Sequence, residues 1–165
     1  MKKLLIVYYS WSNGNPERIA KQLQSAAGGD LLRIDTAEPY AGSYDDVVRQ
    51  GQEEVECGYE PALKPLHANV RDYDVIAVGT PTWWYTMAPA VKTFLHGQDF
   101  AGKTVMPFMT NGGWPGHVIK DMKKACGGAA IACEMQVQFD SNGGDRLETP
   151  QAEIAAWAQN VRKLL

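Results

Sequence analysis

Three stretches of this chain combine hydroxyl, amide, glycine and aromatic residues in a pattern that could hold a phosphorylated planar molecule. The first is Tyr9-Ser10-Trp11-Ser12-Asn13-Gly14-Asn15-Pro16. It follows the apolar run Leu4-Leu5-Ile6-Val7-Tyr8 and precedes a helical pattern with Ile19, Ala20, Leu23 and Ala27 on one face. A strand, a small-residue loop and a helix start together suit an anion. Backbone N–H groups and hydroxyls donate to it, and the helix end is partly positive. Ser10 and Ser12 offer hydroxyls, Asn15 offers an amide, and Gly14 lets the backbone come close. Pro16 suits a first helical turn, where its missing N–H would be unpaired anyway. No Lys or Arg occurs in this stretch before Arg18. A triphosphate loop needs Gly-Lys-Ser/Thr, and a dinucleotide loop needs Gly-x-Gly-x-x-Gly. Neither is present, and a cradle of neutral donors fits a terminal monophosphate.

The second stretch is Thr80-Pro81-Thr82-Trp83-Trp84-Tyr85, directly after the apolar run Asp74–Gly79. Three large aromatics just past a strand exceed what a core needs, whereas a planar aromatic ligand gains stacking and buried area from them. The third is Asn111-Gly112-Gly113-Trp114, which brings flexible backbone and another indole.

These stretches need a frame that brings them together. Apolar runs predict strands over residues 3–9, 30–34, 74–79, 103–109 and 129–139. Pro107 sits awkwardly in the fourth, because proline cannot donate to a ladder. Helical spacing predicts helices over 16–27, 44–56, 88–96, 116–126 and from about 150 onward, with Ser43 and Thr149 as N-caps. The polar segment 57–72, with Pro61 and Pro65, reads as an irregular connection. Alternating strands and helices imply an α/β fold, an open parallel sheet covered on both faces. The three stretches follow strands one, three and four, so all rise on the carboxyl edge, where such sheets bind ligands.

Composition narrows the function. At 165 residues the chain fits a single domain spanning 1–165. A net charge of −3 argues against nucleic acid and gives no basis for binding an anionic membrane. No apolar run is long enough to span a bilayer, and no secretory leader is visible, so a cytoplasmic location is expected. Cys57, Cys126 and Cys133 are odd in number and lack a Cys-x-x-Cys, so neither a disulfide framework nor a zinc site is expected. His67, His96 and His117 are scattered, so no metal site is expected; His117 alone falls beside the third stretch, at a helix start. A signalling receiver domain needs a phospho-accepting Asp after the third strand, where Thr80-Pro81 stands instead. A hydrolase elbow, Gly-x-Ser-x-Gly, is absent.

The three stretches, in this order, resemble the bacterial flavodoxin family along essentially the whole chain. The resemblance implies a flavodoxin-like three-layer sandwich with a five-stranded parallel sheet in order 2-1-3-4-5. It implies FMN at the first/third-strand switch point, for which flavodoxin is itself the standing example. Ser10, Ser12, Gly14 and Asn15 would hold the phosphate, with Trp11, Asn13 and Pro16 completing that loop. Thr80, Pro81, Thr82, Trp83 and Trp84 would border the ribityl chain and ring, and Asn111, Gly112, Gly113 and Trp114 the ring's other side. Two departures stand out. Asn13 lengthens the first loop by one residue, and Pro16 replaces a Thr, which should weaken FMN unless the longer loop supplies another N–H. No catalytic side chain is required, because the flavin carries the redox chemistry. The implied role is electron transfer between redox partner proteins. The alternative is an FMN-dependent NAD(P)H:quinone or flavin reductase with a small-molecule acceptor.

Overall fold

The computed structural model describes residues 1–165. In chain order its elements are β1 (Leu4–Tyr8), α1 (Asn15–Ala27), β2 (Asp30–Arg33), α2 (Tyr44–Cys57), β3 (Val75–Trp83) and β4 (Thr86–Met87). They continue with α3 (Pro89–Gly97), β5 (Thr104–Asn111), α4 (Val118–Ala125), β6 (Ala130–Ile131), β7 (Met135–Gln138) and α5 (Gln151–Lys163). The sheet runs β2-β1-β3-β5-β6, with β7 also beside β5, and every pairing on that path is parallel. This is the expected order 2-1-3-4-5 with the fifth strand in two pieces.

Strand alternation sorts the core into two layers. Leu5, Val7, Ile76, Val78, Val105 and Met109 face α3 and α4, where Val91, Phe94, Leu95, Val118 and Met122 are buried. Leu4, Ile6, Tyr8, Ala77, Met106 and Phe108 face α1 and α5, and meet Ile19, Leu23, Ile154, Trp157 and Val161. Strands apolar on both faces are what a sheet covered by helices on both sides requires.

Three local expectations change. The third strand runs on to Trp83 and turns back into β4, so Thr80–Trp83 are strand and not loop. The fifth strand breaks at residues 132–134. Its offset against β5 rises by one residue between the Thr104–Ala130 and Phe108–Met135 pairs, which marks a bulge. Val105 O faces this side, where it accepts from Ala132 N, so by alternation Pro107 presents its missing donor to the broken stretch of the ladder. The bulge thereby removes the conflict that Pro107 posed. Cys133 sits in it at φ 48, and its carbonyl accepts from Trp157 Nε1 at 2.6 Å. Thr149 does not cap α5. Its hydroxyl accepts from Gln138 N at 2.7 Å, and the helix starts after Pro150 without a side-chain cap. Ser43 does cap α2, in a reciprocal box with Asp46.

The three cysteines are free. Burial pushes the Cys126 thiol up to about 11, which leaves it unreactive near neutrality. No helix is long and apolar enough to cross a membrane.

Gly79 keeps β3 against β5. A Cβ there would lie 2.2 Å from Phe108 Cζ, inside a ring that is fully buried. Gly79→Ala should therefore destabilise the fold by about 1–3 kcal/mol through overpacking, read as a lowered urea midpoint. Gly97→Ala, whose Cβ would meet nothing within 4 Å, should leave the midpoint nearly unchanged or raise it slightly.

Candidate functional site at the carboxyl edge of the sheet

The β1–α1 loop leads into a helix that has no side-chain cap. Gly14 occupies the N-cap position at φ 72, in the left-handed region that glycine adopts without strain. Backbone N–H groups of Ser12, Asn13, Asn15 and Glu17 make no backbone hydrogen bond. Ser10 is buried, and its Oγ has no partner. Asn15 Oδ1 is likewise buried and unpartnered. Unpaired donors at a helix start and a buried free hydroxyl suit an anionic group. The Asn15 side-chain amide donates to Gly144 O at 3.1 Å, which leaves its second amide N–H and its backbone N–H without a partner. Asn13 Nδ2 similarly donates to Gly143 O. The extra residue of this loop thus ties it to the β7–α5 connection.

Cations stand behind the cradle. Arg33 reaches the Ser10 carbonyl at 2.8 Å and pairs with Glu17 at 2.7 Å. Arg18 turns away, donating to Asp145 O at 3.1 Å and lying over the Phe139 ring. The Glu17 carboxyl is held below its usual range, first by its hydrogen bond from Lys21, with Arg33 adding to it.

The β3–β4 hairpin forms the second wall. Its two-residue turn is Trp84-Tyr85, both at positive φ (51 and 68). Turns of this shape are usually filled by Asn and Gly, and bulky residues there store strain of order 1–3 kcal/mol each. Several contacts hold the turn in place. Trp84 Nε1 donates to Val48 O at 2.9 Å, and His117 N donates to Tyr85 O at 2.8 Å. Thr86 Oγ1 donates to Asp121 Oδ2 at 2.6 Å, and His117 Nδ1 contacts the same carboxylate. Gly116 permits the approach, since a Cβ there would lie 2.2 Å from Tyr85 O. Thr80 is fully buried and braces the hairpin from below. Its Oγ1 donates to Pro81 O and accepts from Ala88 N.

Trp83 organises an aromatic cluster. Its ring meets those of Tyr40, Tyr9 and Trp11 edge-to-face at 5.0, 5.8 and 6.3 Å, and Trp11 stacks on Tyr44 at 5.8 Å. Gly51 of α2 makes room, because its Cβ would come within 3.1 Å of Trp83. Burial raises the Tyr9 phenol pKa, and burial followed by the hydrogen bond to Glu54 raises that of Tyr40, so both stay neutral.

Between these walls lies a cavity of ≈ 300 Å³. Trp11, Ser12, Asn13, Asn15, Pro81, Thr82, Trp83, Trp84, Asn111 and Gly112 of the expected set line it. Ser10, Gly14, Pro16, Thr80 and Gly113 do not; Ser10 and Thr80 lie buried just behind it, and Pro16 faces the core on α1. Trp114 lines a separate recess next to it. The sequence reading missed Tyr44, Val47, Val48 and Gly51 on α2, and Phe139, Asp140, Gly143 and Gly144 in a fourth loop. Asp140 shapes that loop by accepting from the N–H groups of Gly144, Arg146 and Asn142 at 2.8, 3.0 and 3.2 Å. Those bonds, Gly144's first, hold its carboxyl below the usual carboxylate range.

A doubly wound parallel sheet with a donor-rich cleft at its switch point places the chain among the open α/β proteins. The family model for flavodoxin matches residues 3–149, and the chain belongs to the flavodoxin family. Among curated proteins it is 36% identical over 100 residues to NAD(P)H dehydrogenase (quinone) 3 of Rhizobium meliloti (strain 1021). That match covers 58% of this chain and only 43% of the relative. A solved protein of Bacteroides eggerthii DSM 20697 is 30% identical, covers 98% of both chains and superposes with a TM-score of 0.76. A flavoprotein from Lactobacillus acidophilus NCFM, solved in complex with FMN, shares the fold at 22% identity, with a TM-score of 0.72 over 82% of this chain and 93% of its own.

Two outcomes follow from this geometry. Gly116→Ala should displace the Trp84-Tyr85 turn, costing about 1–3 kcal/mol and shifting the Trp84 indole N–H resonance. Asp140 has a folded pKa below its ordinary 3.8, so its contribution is present above that value and is lost as pH falls through the folded one. Amide-exchange protection at Asn142, Gly144 and Arg146 should persist down to about pH 4 and fall below it; loss between pH 5 and 7 would contradict the assignment.

Proposed function

We propose that the chain is an FMN-binding electron-transfer protein. The observation that carries this reading is the uncapped start of α1, with the buried free Ser10 hydroxyl, opening into an aromatic-walled cavity. In this reading Ser10, Ser12 and the N–H groups around Gly14 and Asn15 hold the phosphate. Asn15 Oδ1 is an acceptor, so it suits a hydroxyl of the ribityl chain and not the phosphate. Pro81, Thr82, Trp83 and Trp84 border the ring on one side, with Asn111 and Gly112 on the other and Gly113 behind them, its N–H bonded to Asn111 Oδ1. Thr80 acts by bracing the hairpin, and Pro16 by setting the helix entry.

Bound FMN would supply one- and two-electron chemistry. The chain's part is to bind, orient and tune. Trp83, packed against three other rings and α2, presents a fixed apolar wall that excludes water. The apolar indoles of Trp11, Trp83 and Trp84 along the cavity would disfavour added negative charge on the ring. Redox partner proteins are the natural counterparts, and free thiols fit a reducing cytoplasm. A second reading, direct reduction by NAD(P)H with a small-molecule acceptor, is favoured by the likeness to the Rhizobium protein.

FMN titrated into FMN-free protein should saturate at one per chain, with quenched flavin fluorescence. Ser10→Ala should weaken binding about 10- to 100-fold, the worth of a hydrogen bond to a charged group. Absence of saturable binding would overturn the reading. Anaerobic NADH and NADPH then separate the two roles: a flavin spectrum unmoved by either supports the carrier, and rapid bleaching supports the reductase.

A further inference from the structure

Helices α2, α3 and α4 enclose a recess of ≈ 480 Å³ that shares no residue with the main cavity. Glu54 of α2, Lys92 and His96 of α3, and His117, Asp121 and Lys124 at α4 line it. Most of these groups are satisfied within the chain. Asp121 accepts from Thr86 Oγ1 at 2.6 Å and pairs with His117, His96 pairs with Glu60 at 2.8 Å, and Glu54 Oε1 accepts from Tyr40 Oη at 2.8 Å. Three groups are left over. The ammonium groups of Lys92 and Lys124 take part in no ion pair. Glu54 is nine-tenths buried, yet its Oε2 has no hydrogen-bond partner. A buried acceptor left unmade is costly, which marks the place of an occupant.

We propose that this recess binds a phosphate group that retains a proton, as the free ion or as a monoester. The unmet groups select that chemistry. Two ammonium groups without counter-ions call for an anion. A carboxyl oxygen beside them repels an anion unless the anion donates a hydrogen bond to it. A singly protonated phosphate meets both demands. Its O–H donates to Glu54 Oε2, and its other oxygens accept from Lys92 and Lys124. Sulfate has no proton near neutrality and would set a bare oxygen against the same carboxyl. The His96 and His117 rings are held by carboxylates at Nδ1, which leaves each Nε2 edge for the occupant. The volume exceeds what one phosphate fills, so an esterified organic group has room. The recess also touches the main site, because His117 and Asp121 hold the Trp84-Tyr85 turn through Tyr85 O and Thr86. The inference does not rest on the FMN reading.

The test follows the imidazole resonances of ¹⁵N-labelled protein, with FMN and without it, at about pH 6 and constant ionic strength. Inorganic phosphate, glycerol 3-phosphate and sulfate are titrated in separately. The expected result is a saturable shift of His96 and His117 with phosphate or its ester, and none at His67, which lies outside the recess. Sulfate should bind about tenfold more weakly or worse. The tighter of the two phosphates identifies the occupant as the free ion or a monoester. Glu54→Gln replaces the lone acceptor by a donor. It should weaken phosphate about tenfold and remove the discrimination against sulfate. Lys124→Gln, at an exposed position, should weaken phosphate about threefold without disturbing the fold. Shifts of His96 and His117 in protein that fails to bind FMN would end the FMN reading and leave the recess standing. No saturable shift, equal binding of phosphate and sulfate (an adventitious ion only), or a Glu54→Gln variant with unaltered discrimination would overturn the inference.

Discussion

The first turn of α1 is not capped by the chain that forms it. The contrast with α2 is direct, because Ser43 and Asp46 there satisfy the helix start reciprocally. At α1 the N-cap is a left-handed glycine without a side chain, and the loop N–H groups remain unpaired beside the Ser10 hydroxyl. Buried or half-buried donors are expensive to leave unmade. Several unpaired donors at one point, beside the positive end of a helix, would suit a partner that is an anion and accepts hydrogen bonds. The remaining features of the site extend outward from this point. Asn13 and Asn15 bind the fourth loop to the first, Asp140 shapes that fourth loop, and the aromatic cluster around Trp83 closes the opposite side.

Parallel topology explains why these parts meet. The loops that follow β1, β3, β5 and β7 must all leave at one edge, and the reversal of winding between β1 and β3 opens a cleft there. Within that cleft strain is concentrated where function would use it. The only residues outside glycine with positive φ are Trp84, Tyr85 and Cys133. The first two form the exposed rim of the site, held by α2 on one side and the start of α4 on the other. Cys133 belongs to the edge bulge, where Trp157 accounts for its carbonyl.

Sequence patterns carried most of the sheet and the three main loops, because apolar runs and glycine-bearing turns are local features. What escaped them depends on distant partners. Thr149 looked like a helix cap until a strand amide 11 residues away claimed its hydroxyl. Asn15 reads as a phosphate ligand, and no local pattern shows that its amide also reaches Gly144, 129 residues on. Pro107 looked misplaced in a central strand, and only the bulge in its neighbour resolves it. The α2 wall was hidden for a similar reason. Gly51 read as one more position on a helical stripe, whereas its lack of a side chain is what admits the Trp83 ring.

The FMN reading seats a doubly charged phosphate in a cradle of neutral donors at the uncapped start of α1. Its most direct test is the ³¹P resonance of FMN in the presence of the protein, followed from pH 5 to 8. Free phosphate monoesters take up a proton with a pKa of about 6, and their resonance moves with it. Unpaired N–H groups and the helix end favour the dianion, so a distinct bound resonance that does not move across this range is expected. A bound resonance that titrates as the free one does, or no bound resonance at all, would contradict it.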